Sequence, residues 1–434
     1  METWRAARVP VLPGRGPEPH LANTATGELT RAALGPRATL YACGITPYDS
    51  THIGHAATYL AWDLLVRAWR DAGHEVTYVQ NVTDVDDPLL ERAERDGDDW
   101  RELALREIAR YRGDMEALRV LPPTHLVGAV EAMPVIEDFA RQLADRGALY
   151  DLESDQYFSR ATDPAFGTVS RLDTPTMTTL FAERGGDPGR PGKKDPLDCL
   201  VWLSARPGEP SWESVFGPGR PGWHVECAAI ATEHLGRRFD VQAGGSDLIF
   251  PHHEMSASHA RVALGDREVF ARRYAHAGMV RLDGEKMSKS LGNLVFVSGL
   301  LAQGADPMAV RLAILAQRYR CDWDWTAERL AGAQARLQRW RAAMHRALAA
   351  PERAGAGRRD APAGAAAGPG PAGGHAVLAA VRERIAADLD APGALLAVDG
   401  WADAVTGAPV LASGSAASAA LVRDTVDALL GVTL

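Results

Sequence analysis

Cysteine is scarce in this chain: 4 residues among 434, at positions 43, 199, 227 and 321. So few, so widely spaced, do not make a disulfide framework, and a reducing cytoplasm is the expected compartment. A basic excess is missing as well. Lys and Arg total 47 against 56 Asp and Glu, a formal net charge of −9, so no global positive field draws the chain to nucleic acid. No run of about eighteen apolar residues occurs, which argues against a membrane-spanning helix. Met1 to Pro13 has no apolar stretch of secretory-leader type. A GxxxxGK[ST] phosphate loop is absent, which excludes that class of ATP site, and there is no internal repeat. What is present is ordinary for a globular protein of two or three domains: 46% hydrophobic and 24% charged residues.

Ala38 to Gly44 (ATLYACG) reads as a short buried strand ending in a glycine turn. From Ala56 to Ala72 the apolar residues Ala57, Leu60, Ala61, Leu64, Leu65, Ala68 and Trp69 follow helical spacing, with Gly73 just past the end. Glu75 to Val82 then reads as a second strand. Strand, turn, helix, strand is a βαβ unit, so an α/β fold with a parallel sheet is expected. Ligands on such sheets bind at the carboxyl ends of strands, where Cys43 and Asn81-Val82-Thr83 fall. Glu91 to Leu118 and Met133 to Leu149 are helical in pattern, Phe239 to Ala243 is a third strand, and Ala327 to Ala349 a long helix. The predicted organisation is an N-terminal extension (1–37), a catalytic domain (38–320) with a turn-rich insertion at about 120–220, and a helical stem (321–350). An Ala/Gly/Pro-rich linker (351–374) that cannot build a core and a small helical tail (375–434) follow.

Three patterns carry chemistry. His52 and His55 stand at the start of the first helix, where free backbone N–H groups and the helix dipole favour an anion. Two imidazoles there could donate to a triphosphate as charge develops; a surface pair or a helix-start hydrogen bond is the plainer alternative. Lys286 and Lys289 flank Met287-Ser288 in a glycine-led loop and could neutralise a departing pyrophosphate. Cys43, Cys227 and His252, each beside a strand end or turn, offer two thiolates and an imidazole. Soft donors select zinc, and three protein ligands leave a fourth position open for substrate. A thiol substrate would explain such a site: a zinc–thiolate bond rejects serine, whose hydroxyl is a harder ligand of far higher pKa. Cys199 and Cys321 lack such context and read as packing residues. His253 and Glu254 could orient His252 or merely pack. Gly244-Gly245-Ser246-Asp247 after a strand could approach an adenylate. Asp84, Asp86 and Asp87 could suggest magnesium, but helix capping and solvation are the expected roles of at least two.

With these residues, YACGITPYDSTHIGHA, NVTDVDD, GEPSW, GRPGWHVEC, GGSDLIFPHHE and EKMSKSLGN stand in an order that resembles the cysteinyl-tRNA synthetase superfamily, from about Ala38 to Trp325. The resemblance implies a class I synthetase-type, Rossmann-like catalytic domain with an inserted connective region and a C-terminal α-helical domain. It implies ATP as substrate, with Mg²⁺, and one zinc held by Cys43, Cys227 and His252. It makes His52, His55, Lys286 and Lys289 catalytic. By the same carry-over, Cys43, Gly44, Ile45, Thr46, Thr58, Asn81, Val82, Thr83, Trp223, Gly245, Ser246, Asp247 and Val280 line the cysteinyl-adenylate pocket.

Several features depart from the tRNA-charging members. Ser256 stands where they carry a glutamate as fourth ligand, and Pro88 where they typically have lysine. The Glu183 to Pro188 string (ERGGDP) and the opening Trp4 to Gly14 resemble instead a branch that joins cysteine to the amine of glucosaminyl-inositol in mycothiol biosynthesis. The tail after Gly374 holds Glu383, Asp388, Asp390, Asp399, Asp403, Asp424 and Asp427 against Arg382, Arg384 and Arg423, with Trp401 its sole aromatic. An anticodon reader would interleave basic and aromatic residues. The expectation is a cytoplasmic, monomeric, AMP-forming amide ligase whose partners are L-cysteine, ATP and the amino sugar, not tRNA. Asp247, His55 and His224 are the candidate bases for the acceptor amine. The alternatives are a cysteinyl-tRNA synthetase and a non-catalytic zinc or cysteine sensor.

Overall fold

The computed structural model describes residues 1–282, 284–287, 292–350, 373–412 and 414–434. Lys289, the stretch 351–372 and the side chain of Lys286 lie outside the described residues. A five-stranded sheet forms the centre, in the order Phe270–Ala277, Arg238–Gly245, Arg37–Ala42, Glu75–Val82, His125–Gly128. Every pair is parallel. The chain begins mid-sheet, steps outward through two strands, then returns to the other side. That reversal opens a crevice at the carboxyl ends of Arg37–Ala42 and Arg238–Gly245. Strand interiors such as Leu40, Tyr41, Val79, Val241 and Ala243 are fully buried, as expected of a parallel sheet covered on both faces.

The first helix, Ile53–Ala72, starts three residues before its apolar period suggests. The His52 ring caps it: Nδ1 accepts from the N–H of Gly54 (3.0 Å) and of His55 (3.4 Å). Gly73 ends it at φ +97°, a conformation open to glycine. The single charged helix expected over Glu91–Leu118 is two, Asp87–Asp96 and Trp100–Ala117, because Gly97 takes φ +70° and Asp99 caps a new start. The helix from Met133 stops at Asp145, and Leu149 already begins a strand.

The stretch read as turn-rich holds an antiparallel sheet, ordered Leu149–Leu152, Asp155–Phe158, Cys199–Ser204, Gly219–Pro221. Its strands are only three to six residues long, which hid them from the periodicity. His125–Gly128, within the span expected for the insertion, pairs in the central sheet.

The tail consists of helices Gly374–Ala386, Ala391–Gly407 and Ser415–Thr425, followed by a short turn at Val426–Leu430. It shares one apolar cluster with the first helix: Trp62, Trp69, Leu395, Trp401 and Leu430 pack together. A buried ionic knot fastens it. Asp63 pairs with Arg67 at 2.8 Å and with Arg311, all three fully buried. Arg67 donates to the carbonyls of Asp427 (3.0 Å) and Ala428 (3.1 Å), and Arg311 to that of Leu430 (2.6 Å). No described helix is long and apolar enough to cross a membrane.

Candidate active site and metal centre

The crevice is a cavity of about 400 Å³. Cys43 and Gly44 form its floor at the strand end. A Cβ on Gly44 would fall 1.5 Å from the carbonyl oxygen of Asn81, so only glycine fits there. Asn81 also holds Gly44 in place, its Oδ1 accepting from the Gly44 N–H at 2.9 Å while its Nδ2 donates to Thr83 Oγ1 at 3.1 Å.

His52 and His55 line one wall, their rings stacked with centroids 3.8 Å apart. The sequence reading left the first N–H groups of the helix free for an anion, but the Gly54 and His55 groups are taken by His52 Nδ1. An accepting Nδ1 fixes the tautomer, so a neutral His52 carries its proton on Nε2. Burial pushes His55 down to about 4, leaving it a neutral imidazole at pH 7. The backbone around His52 pairs with the segment after the lysine motif: Ile53 donates to Val295 (2.9 Å) and Val297 to Thr51 (3.0 Å). Met287 of that motif also lines the cavity.

Cys43, Cys227 and His252 meet in three dimensions. Their ligand atoms lie within 4.8 Å of one another, and all three residues are buried. The two Sγ atoms are 3.8 Å apart. His252 Nε2 is buried without a hydrogen-bond partner, while Nδ1 lies 3.0 Å from His224 Nδ1. Trp223 stacks on the His252 ring at 4.1 Å. A buried imidazole with an orphaned nitrogen, grouped with two sulfurs, fits a zinc ion. With Nε2 on a metal, His252 Nδ1–H would donate to His224, fixing the ring.

Cys43 has its own support. Its Sγ lies 3.2 Å from His253 Nε2, His253 Nδ1 lies 2.8 Å from His276 Nε2, and His276 Nδ1 lies 2.7 Å from Thr24 Oγ1. Burial lowers both histidines, His276 to about 3, so both are neutral. Bound to a metal, Cys43 would be a thiolate and could only accept. The protons would then run one way: Thr24 O–H to His276, His276 Nε2–H to His253, His253 Nε2–H to sulfur. His253 thus orients Cys43, and His224 takes the place foreseen for an orienter of His252. Glu254 turns elsewhere, accepting from the N–H groups of Val169 (3.0 Å) and Ser170 (2.8 Å). Ser256 Oγ lies 2.8 Å from the His252 carbonyl and 3.1 Å from that of His224, so it points at backbone and not at the trio. Cys199 is packed as expected, 3.3 Å from His259 Nε2. Cys321 is exposed, which corrects its reading as a packing residue.

Residues 31–335 match the catalytic-domain family of class I (C) tRNA synthetases. A curated relative from Thermomonospora curvata, an L-cysteine:1D-myo-inositol 2-amino-2-deoxy-alpha-D-glucopyranoside ligase, is 60% identical with 100% of both chains covered. Another from Thermobispora bispora, of the same name, is 58% identical with equal coverage. This chain belongs to that ligase family. Among solved structures, methionyl-tRNA synthetase of Mycobacterium tuberculosis bound by methionyl-adenylate superposes with TM-score 0.64 at 17% identity, over 91% of this chain and 92% of that one. That likeness shows the class I fold.

In this ligase Cys43, Gly44, Ile45, Thr46, Thr58, Trp223, Gly245, Asp247 and Val280 line the cavity together with both histidines. Asn81, Val82, Thr83 and Ser246 do not; Asn81 and Thr83 brace Gly44 and Ile45 from behind. Of the candidate bases, Asp247 and His55 line the cavity, whereas His224 is turned to His252. Tyr48, Asp49, Tyr59, Met279 and Leu294 also line it and were not foreseen. Tyr48 and Asp49 sit between Cys43 and His52, so position alone could have found them. Thr24 and His276 gave no local signal. Asp86 caps the helix Asp87–Asp96 and Asp87 pairs with Arg220, in line with structural roles.

Proposed function

We propose that the chain activates L-cysteine with ATP and joins it to the amine of glucosaminyl-inositol, the step that makes the cysteinyl amide of mycothiol biosynthesis. The cysteine carboxylate attacks the α-phosphorus of ATP, pyrophosphate leaves, and cysteinyl-adenylate forms. The sugar amine then attacks the activated carbonyl, loses a proton to a base, and AMP departs with the bond electrons. The observation that carries this reading is the buried three-donor cluster of Cys43, Cys227 and His252, which meets the cavity through Cys43, while His52 and His55 line one wall.

Cys43, Cys227 and His252 would hold a zinc ion, which when bound supplies a soft, Lewis-acidic position for the substrate thiolate. His52, with its proton on Nε2, donates to the phosphate chain as charge develops. His55 packs beneath it. Lys286 and Lys289 neutralise the leaving pyrophosphate. The second step asks mainly for proximity and an unprotonated amine; Asp247 and His55, which line the cavity, are the candidates to take its proton.

The tail supports a small acceptor over tRNA. Its three arginines are each engaged: Arg382 with Asp71 (2.7 Å), Arg384 with Asp390 (3.3 Å), Arg423 with Asp424 (2.9 Å). A phosphate track needs available cations. The same reading makes the enzyme a cytoplasmic monomer. The test offers enzyme, ATP and labelled cysteine the pseudodisaccharide in one tube and cysteine-specific tRNA in another. Label is expected on the sugar; label on tRNA alone would make the chain a synthetase with a short tail. No cysteine-dependent pyrophosphate exchange at all would favour a non-catalytic sensor.

A further inference from the structure

The glycine-rich string Glu183 to Pro188 belongs to the insertion, yet it reaches the active site. Gly185 takes φ +84°, a conformation strained for any side chain. Gly186 has no room for one: a Cβ there would lie 2.3 Å from the Phe181 ring. Its N–H donates to the Phe181 carbonyl at 2.8 Å. Asp187 anchors the far side, accepting from Lys193 at 2.9 Å and from the Tyr157 hydroxyl at 2.5 Å. A turn this constrained presents Arg184 in one direction.

That direction is toward the turn that carries Asp247 and Phe250. Arg184 Nη1 donates to the backbone carbonyl of Asp247 at 2.6 Å and also to that of Phe250. No carboxylate among the described residues forms an ion pair with this guanidinium. Asp247 ends the glycine turn that lines the cavity, and Phe250 lies two residues before the ligand His252. One side chain from the insertion therefore ties the cavity wall to the metal-ligand turn.

The structure assigns Arg184 as a positioning residue that sets the spacing between the thiol-holding cluster and the Asp247 wall. This rests on the proposed cysteine activation. A cysteine anchored by its thiol presents its carboxylate at a fixed reach, so the spacing of these two turns decides whether that carboxylate meets the α-phosphorus. An error of about 1 Å in such alignment costs on the order of 10² in rate. The guanidinium suits the task because it is planar and the two N–H groups of Nη1 are fixed in direction.

The test compares Arg184→Met and Arg184→Lys with wild type. Cysteine-dependent pyrophosphate exchange in Arg184→Met should lose about 10²-fold in kcat, with one zinc per chain and the melting temperature kept. Preference for cysteine over homocysteine, one methylene longer, should narrow by about tenfold, within the range a methylene commands. Arg184→Lys, which keeps a donor, should recover part of both. Zinc transfer to a chelator, measured without substrate, should quicken in Arg184→Met. Unchanged kcat and unchanged homocysteine discrimination would overturn the assignment. So would a melting temperature that collapses in both variants, since the arginine would then only hold the fold. If wild type shows no exchange while chelator transfer still quickens in Arg184→Met, the functional reading falls and the link between the turns stands.

Discussion

Cys43 and Cys227 are 184 positions apart in the chain, and their buried sulfurs stand 3.8 Å apart behind the cavity that Cys43 lines. Burial, then the neighbouring Cys43, pushes the Cys227 thiol up. A thiol so raised becomes a thiolate readily only beside a cation. His252, with its unpartnered Nε2, completes the set.

The metal prediction follows directly. Purified protein should contain one zinc per chain, and Cys227→Ala should lose zinc and cysteine-dependent exchange together. Metal analysis of both proteins decides it. Zinc-free wild type with full activity would remove the metal from the reading.

The chain of hydrogen bonds behind Cys43 predicts graded effects. His253→Ala removes the N–H that faces the sulfur and should weaken zinc binding ~10–100-fold, the usual cost of losing a group that orients a ligand. Thr24→Val breaks the chain three hydrogen bonds away and should cost less. Competition with a zinc chelator measures both, and equal losses would show that the order of the chain does not matter.

His55 sets a pH expectation. Its folded value, about 4, lies below the unperturbed ~6.5, so protonation favours the unfolded chain. Stability tied to this group is complete above about 6.5 and falls as the pH drops toward 4. The exchange rate should show no inflection from His55 near 6.5. An imidazole resonance assigned to His55 that titrates near 6.5 would contradict the buried neutral ring.

The tail should be acid-sensitive through Asp63. Burial alone would raise this carboxyl, but Arg67 and Arg311 overcome it and hold the group below the usual range. Its stabilising contribution is therefore complete above the unfolded value of ~3.9 and lost as pH falls through the lower folded one. Asp63→Asn leaves two buried arginines without their counter-ion and should cost about 3–5 kcal/mol. Denaturant unfolding at pH 7 tests this, and a loss below 1 kcal/mol would mean that the carbonyls of Asp427, Ala428 and Leu430 suffice for the arginines.

By itself the sequence determined the parts whose signal is local. The strand at Glu75–Val82 and the helix ending at Gly73 follow from apolar periodicity and a glycine stop. The short strings around Cys43, His52, Cys227 and His252 named the candidate chemistry, because backbone turns and ligand types must be encoded where they occur. Only the tertiary structure decided what joins across distance. Thr24 meets His276 from 252 positions away, and Arg184 spans 63 and 66 positions to its two carbonyls. Hydrogen bonds between remote segments impose no period on either partner, so nothing in the string marks them. The insertion's strands were hidden because antiparallel pairs of three to six residues carry too little alternation to stand out from turns. The tail's acidic residues are visible in the sequence, whereas the face that docks on the first helix is not. Arg67 and Arg311 look like solvated charges until Asp63 and the last carbonyls of the chain close around them.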